Sequence, residues 1–346
     1  MSTPLDGGRE TDAPLRYQLD DMRSWWGPLS DSGTAHDADG PHFPLIPAVL
    51  VPFSNPIAAL GAVVATVPVV EAIYYRHLKR AAEREGGDGR VSSDDVWSDA
   101  MTRLANDTRD AIVAVRADIG AALKTHHHRH TAAASVGLRH AEGDGFFVRL
   151  STRSAKDCLL KPSSRQPASS SDGSNPTLMC IDAEDAVRAL FSSSRIATDA
   201  SIALQRVGPP GDRVSPHAPL PCMCLRPWVN IPAWAEVRVF VQSSTVTAAS
   251  QYATHCDDRE GGAKLLAMRE DIVALARRCA TVLGEHGRIR DFVVDLAAVF
   301  NPADESTSLQ IVEINPFGSC TSGCLFSWVV DRDVLYGHRP FEFRTV

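Results

Sequence analysis

The sequence lacks an excess of positive charge. Its 35 Lys and Arg face 42 Asp and Glu, giving a formal net charge of −7 and a pI near 5.9 over 346 residues. A partner held mainly through nucleic-acid phosphates needs a cationic surface, so that class is excluded, leaving room only for a local basic patch. A basic-then-apolar leader is also missing, because "MSTPLDGGRETDAPL" is polar and acidic. The expected setting is therefore the reducing cytoplasm, with free thiols. The eight cysteines lack zinc-knuckle spacing: Cys222 and Cys224 lie two apart, Cys320 and Cys324 four apart, and no second matching pair follows either. The run "KTHHHRH" (Lys124 to His130) has no partner motif and reads as an exposed, partly protonated loop. No Ser-His-Asp or Cys-His hydrolase motif is present, and the serines between Ser163 and Ser174 read as linker. Nor is there an uninterrupted apolar run of membrane length. Ile57 to Val70 is short and carries Pro68, which favours a buried strand-and-helix segment over a membrane span.

What is present is an ordinary globular composition, 44% hydrophobic and 22% charged, long enough for two lobes sharing a cleft. Residues 1–40 are polar and Gly/Asp-rich and are expected to be disordered or extended. A basic helix "YYRHLKRAAERE" follows the apolar segment. After it, "VSSDDVWSDAMTRLANDTRDAIVAVRADIGAALK" starts on a Ser/Asp cap and repeats apolar residues at helical spacing. The stretch 161–176 is low-complexity and reads as a mobile loop. "DAEDAVRALFSSSR" reads as a capped helix burying Val187, Leu190 and Phe191.

Chemistry is concentrated in the β patterns. "FFVRL" is a short strand carrying Arg149, and Ser151 to Asp157 is a flexible run of cations and hydroxyls suited to an anion, or simply a surface loop. "EVRVFVQ" alternates, with Val237, Val239 and Val241 on one face and Glu236, Arg238, Phe240 and Gln242 on the other, and turns through Ser243 and Ser244 into "TVTAASQY". The helix "AKLLAMREDIVALARRCATVLG" is expected to close on Gly284. "DFVVDLAAVF" and "LQIVEINPF" are expected to be antiparallel neighbours joined by a polar loop. Period-two alternation places Leu309, Ile311, Glu313 and Asn315 on one face, with Asp295 opposite Glu313. Two adjacent carboxylates repel and ask for a cation. Hard oxygen ligands without thiolate or imidazole suit Mg²⁺. The alternative is that Glu313 pairs with an arginine such as Arg238 or Arg149. If a metal holds the cluster, removing Asp295 or Glu313 relieves repulsion in the unliganded protein and leaves the fold intact.

The blocks "FVRLSTRSAKDC", "LRPWVNIPAWAEVRVFV" with "ASQY", "VVDLAAVF" and "IVEINPFGSCTSGCLFSW" stand in the order and approximate spacing of motifs in the cell division cycle protein 123 family, which the chain resembles from about Gly145 to Trp328. The resemblance implies an α+β, ATP-grasp fold of two lobes with MgATP between them: an N-terminal lobe over 41–225 and a C-terminal ATP-grasp lobe over 226–346. It implies a monomer that acts as an assembly chaperone for heterotrimeric translation initiation factor 2 through its gamma subunit. By the same resemblance, Arg149 falls where the family has a phosphate-contacting lysine. Arg226, Pro227 and Trp228 border the adenine, Arg238 approaches the phosphates, and Asp295, Glu313 and Asn315 are the magnesium ligands. Met179 stands where the family has another lysine, and Pro227 where it has a basic residue. Two other functions fit such a fold: a carboxylate–amine ligase working through an acyl phosphate, and a degenerate member that binds protein without ATP.

Overall fold

The computed structural model describes Leu45 and residues 48–83, 91–132, 145–160, 178–207, 220–229, 231–254, 259–286, 289–301 and 306–346. The segments expected to be disordered (1–40) and mobile (161–176) lie outside the described residues. Described residues 48–228 make one compact unit, and 229–346 with Leu45 make another.

In the first unit, Asn55 before Pro56 is a helix-start signal, and its Oδ1 accepts from the Ala58 N–H at 3.2 Å. Helix α1 (Pro56–Ala82) continues through Pro68, so the expected break does not occur and the apolar segment and basic helix are one element. Leu60, Val63, Val67, Val70 and Ile73 keep one buried face across the proline. Burying five such side chains at ~1.5–3 kcal/mol each outweighs the ~3 kcal/mol an interior proline costs. Among the described residues α1 is the one helix long and apolar enough to cross a membrane, and 44% of that apolar stretch is buried.

Helix α2 (Ser93–Arg103) is capped by Ser92, whose Oγ accepts from the Asp95 N–H at 3.2 Å. The expected continuous helix divides here, because Leu104 is extended (ψ 148°) and α3 (Asn106–Ala132) restarts beyond it. Arg109 Nη1 donates to the Met101 carbonyl at 3.2 Å, satisfying one acceptor freed at the end of α2. The histidine run belongs by backbone to α3 rather than to a loop, and the side chains from His126 onward lie outside the described residues.

A three-stranded antiparallel sheet completes this unit, ordered β1 (Val49–Val51), β3 (Met223–Pro227), β2 (Phe146–Leu150). Helix α4 (Ala183–Phe191) is capped by Asp182 and buries Val187, Leu190 and Phe191 as its pattern predicts. Helix α5 (Ser194–Val207) packs on α1. The run after β2 is a fixed turn instead of a flexible loop. The Leu150 N–H donates to the Arg153 carbonyl at 2.9 Å, the Ser151 N–H to the Cys222 carbonyl at 2.7 Å, and Arg153 pairs with Asp199 at 3.0 Å.

The second unit is a five-stranded sheet ordered β7 (Ser306–Pro316), β6 (Phe292–Asn301), β4 (Glu236–Gln242), β5 (Thr245–Gln251), β8 (Glu342–Arg344). Neighbours are antiparallel except β5 and β8. The β4–β5 hairpin turns on Ser243 and Ser244, whose φ values of 50° and 62° are left-handed, the geometry that matches strand twist in two-residue turns. Where one helix was expected there are two, α6 (Arg259–Ala267) and α7 (Arg269–His286), meeting at Met268, and α7 runs past Gly284. Helix α7 packs on β4, β5 and β7, with Ile272, Ala276, Cys279 and Leu283 buried. Phe240, Ala248 and Val293, which share a sheet face by register, instead meet Phe317, Phe326, Val334 and Leu335 from the C-terminal stretch and from α8 (Arg332–Leu335).

Candidate functional site

Pairing register builds the candidate site. Ser250 lies opposite Arg238, Arg238 opposite Asp295, and Asp295 opposite Glu313, so one row crosses β5, β4, β6 and β7. Cross-strand partners share a sheet face, and neighbouring strands lie about 4.8 Å apart, so these side chains stand side by side in one row. Asn315, opposite Val293, sits two residues beyond Glu313 on the same face. The predicted convergence of Asp295, Glu313 and Asn315 is thus what the register gives.

The predicted alternation of β7 needs one correction. Asp295 pairs with Glu313, but Leu296 pairs with Ile311, leaving Val312 as the extra residue of a bulge. A bulge reverses the faces beyond it. Ile311 therefore shares the apolar face of Leu296, fully buried, while Glu313 and Asn315 stay with Asp295.

Asp295 is 1% exposed, and a guanidinium neutralises it. Arg238 donates from Nε to Oδ1 and from Nη2 to Oδ2, both at 2.8 Å, and Asn315 Nδ2 donates to Oδ2 at 2.9 Å. Arg238 Nη1 reaches the Ser322 carbonyl at 2.7 Å, and its guanidinium carbon lies 4.8 Å from the Tyr252 ring centroid. Burial alone would lower the Arg238 pKa, but the charge and hydrogen bonds of Asp295 overcome it and raise it above the ordinary guanidinium range. The cation is permanent. A charge pair about 4 Å apart gains about 4 kcal/mol at an effective dielectric of 20, while each ion loses several kcal/mol of hydration. The pair is therefore close to neutral as a unit, and costly to break from one side. This corrects the expectation that losing Asp295 merely relieves repulsion.

The donor chemistry still fits a small hard cation. Asp295 Oδ1 keeps one lone-pair direction after accepting from Arg238, Glu313 is a half-buried carboxylate, and Asn315 can present its amide oxygen by rotating about χ2. Among the described residues no group of three or more His, Cys, Asp and Glu comes together. A divalent ion here would rest on two carboxylates and an amide, and take its remaining oxygens from water or phosphate.

The other predicted residues belong to the first unit. Arg149 lies opposite Cys224 and Arg226 opposite Phe147, which places the two arginines on one sheet face, 2% and 5% exposed. Arg149 Nε donates to the Leu150 carbonyl at 3.0 Å. Pro227 pairs with Phe146, and the Trp228 N–H is taken by the Gly145 carbonyl at 2.9 Å, so neither residue offers a backbone donor to a ligand. Met179 packs over Gly145: a Cβ there would meet Met179 Cγ at 2.2 Å.

Three participants escaped the sequence reading: the Ser322 carbonyl, the Tyr252 ring, and Cys324, whose thiol is pushed up by burial against the opposing pull of Arg238. Only one carried a signal. Gly323 admits no side chain, since a Cβ would lie 2.1 Å from the Phe326 carbonyl oxygen, and this marks the "SCTSGC" turn as tightly packed.

The D123 family model matches residues 173–346, half of the chain, including every candidate residue of this site. The chain belongs to the D123 family, that of Cdc123. Two solved structures are similar. C-terminally truncated Cdc123 from Schizosaccharomyces pombe superposes with a TM-score of 0.50 at 17% identity, covering 95% of this chain and 96% of that one. Cdc123 from the same organism gives 0.49 at 18% identity, covering 94% and 96%. No curated protein sequence matches the chain. The mixed α/β arrangement described above is thus the fold of a Cdc123-like protein, and the D123 match begins beyond Arg149.

Proposed function

We propose that this protein binds MgATP in the ATP-grasp manner and acts in the cytoplasm, as a monomer, as an assembly factor for heterotrimeric translation initiation factor 2, engaging its gamma subunit. The observation that carries the reading is the row Arg238–Asp295–Glu313 with Asn315 beside it, a permanent cation next to a hard-oxygen donor set on one sheet face. Membership of the D123 family supports the partner. Asp295, Glu313 and Asn315 would hold Mg²⁺, which when bound neutralises and orients phosphate oxygens. Arg238 orients Asp295 through two parallel hydrogen bonds and supplies positive charge beside it. Tyr252 and the Ser322 carbonyl restrict the guanidinium to that orientation. Arg149, Arg226, Pro227 and Trp228 are the nucleotide-contact candidates of their own unit. No bond in the partner need be made or broken.

One observation favours a second reading, a protein-binding module that keeps the fold without nucleotide: both oxygens of Asp295 are already bonded to Arg238. Calorimetric titration of ATP with and without Mg²⁺ separates the two. The first reading expects Mg²⁺-dependent binding that Glu313→Gln removes with no loss of unliganded stability. Absence of any MgATP binding by the wild type refutes it.

A further inference from the structure

Strand β1 is the outer strand of the three-stranded sheet, with β3 on one side and no strand among the described residues on the other. Val49, Leu50 and Val51 carry none of the charges that ordinarily keep such an edge from pairing, so only its shortness and the following Pro52 limit it. Val51 and, from α3, Ile112, Val115 and Ile119 are buried in one core. Beside it lies a cavity of about 330 Å³, lined by residues 49–52 and by one stripe of α3, Asp118, Ala121, Ala122 and Thr125. Successive strand side chains point to opposite faces. A cavity that meets four consecutive residues therefore meets the strand along its edge, where main-chain N–H and C=O groups lie. The α3 wall is low, because Ala121 and Ala122 are small. Asp118 is fixed in it, its Oδ2 accepting from the Ser54 N–H at 2.9 Å, and Thr125 Oγ1 turns back to donate to the Ala121 carbonyl at 3.0 Å. Among the described lining residues Asp118 is the one charged group.

We infer that this cleft is a peptide site, in which an extended segment of another protein adds to β1 as a further strand and sets a Lys or Arg side chain against Asp118. The edge itself selects the occupant. Only an extended polypeptide returns N–H and C=O groups at the strand's own repeat of about 3.3 Å per residue. Apolar walls with a single carboxylate accept a segment of apolar side chains carrying one cation, and an acidic segment would bring like charges together. A second copy of this chain cannot pair here edge to edge, since β1 of each copy faces its own α3 across the cleft. A lipid surface offers no main-chain ladder, and the carboxylate repels anionic headgroups. Three residues of edge supply few main-chain bonds, so binding is weak and depends on both the ladder and the cation. The inference needs neither the nucleotide nor the assembly partner proposed above.

The probe is a dye-labelled, end-blocked peptide of alternating valine and threonine with one central lysine, titrated into the full chain by fluorescence anisotropy. Hydrogen exchange of residues 48–54 locates the contact. Three comparisons accompany it: the peptide with glutamate for lysine, the fully N-methylated peptide, and the variants Asp118→Asn and Ala121→Leu. Asp118→Asn keeps an acceptor for the Ser54 N–H, and Ala121→Leu fills the cleft from an exposed position, so both should fold. The expected result is binding at millimolar peptide that slows exchange in β1, is about fivefold weaker for the glutamate peptide, and is absent for the N-methylated one. Asp118→Asn should erase the preference for lysine, and Ala121→Leu should abolish binding at an unchanged melting temperature. Any of the following overturns the inference: no binding by the wild type, binding retained by Ala121→Leu or by the N-methylated peptide, or a lysine preference that survives Asp118→Asn. Sedimentation showing a wild-type dimer that Ala121→Leu loses assigns the cleft to a second copy and overturns it as well.

Discussion

Replacing Asp295 with alanine leaves the Arg238 guanidinium, 4% exposed, without the carboxylate that accepts from its Nε and Nη2. Removing one partner of a buried ion pair costs about 3–5 kcal/mol, whereas replacing both by apolar groups of similar volume is often neutral. The single variants Asp295→Ala and Arg238→Met should therefore each lose about 3–5 kcal/mol, and the double variant Arg238→Met/Asp295→Leu much less than the sum. The assay is a double-mutant cycle by urea denaturation, followed through Trp328, whose ring packs on Phe240 one row away in β4. At about 2–4 °C per kcal/mol for a larger chain, the single variants should also melt about 6–20 °C below the wild type. An Asp295→Ala variant within about 1 kcal/mol of wild type would refute the reasoning, because the guanidinium would then have another source of compensation.

Two further outcomes follow from local chemistry. Arg344 and the Ser327 N–H bond the Asp331 carboxylate and hold its pKa below the ordinary carboxylate value of 3.8. A depressed acid stabilises the fold above its unfolded pKa and loses that contribution as pH falls through the folded value. The C-terminal turn should accordingly loosen below about pH 3.8, read as increased hydrogen exchange at Val329 and Val330, and Asp331→Asn should remove the pH dependence. Among the seven described cysteines, all free, Cys320 is exposed, while burial pushes the Cys279 thiol up to about 12 and raises Cys180. At pH 8, alkylation mapped by mass spectrometry should modify Cys320 first and leave Cys279 and Cys180 unmodified until the chain unfolds; early labelling of Cys279 would contradict its burial.

What could be read in the sequence was periodic or local. The faces of β4, the Ser243–Ser244 turn, the caps of α2 and α4, and the opposition of Asp295 and Glu313 each depend on a few neighbouring residues. The failures involve terms that neighbours do not carry. Pro68 looked like a helix end because the cost of an interior proline is local, while the burial that outweighs it comes from helices elsewhere in the chain. Val312 is indistinguishable from any strand valine, so the bulge that turns Ile311 into the apolar face left no trace. Alternation alone offered two answers for the acidic pair, a metal or an arginine. The structure places Arg238 on Asp295.

That placement bears on how a nucleotide would act. Arg238 joins three things through one guanidinium: the carboxylate of β6, the ring of Tyr252 after β5, and the backbone of the loop after β7. Any anion that draws the guanidinium away from Asp295, or any cation that competes for that carboxylate, must also alter the bond to Ser322. Ser322 adjoins the residue that anchors Trp328, and Trp328 precedes the two exposed valines. A ligand that favours one arrangement of this chain shifts the population of the other end by its differential affinity, and by no more than that. A ligand of the row that also biases the packing of Trp328 is governed by that reciprocity: whatever shifts Trp328 must change the affinity for that ligand by the corresponding factor.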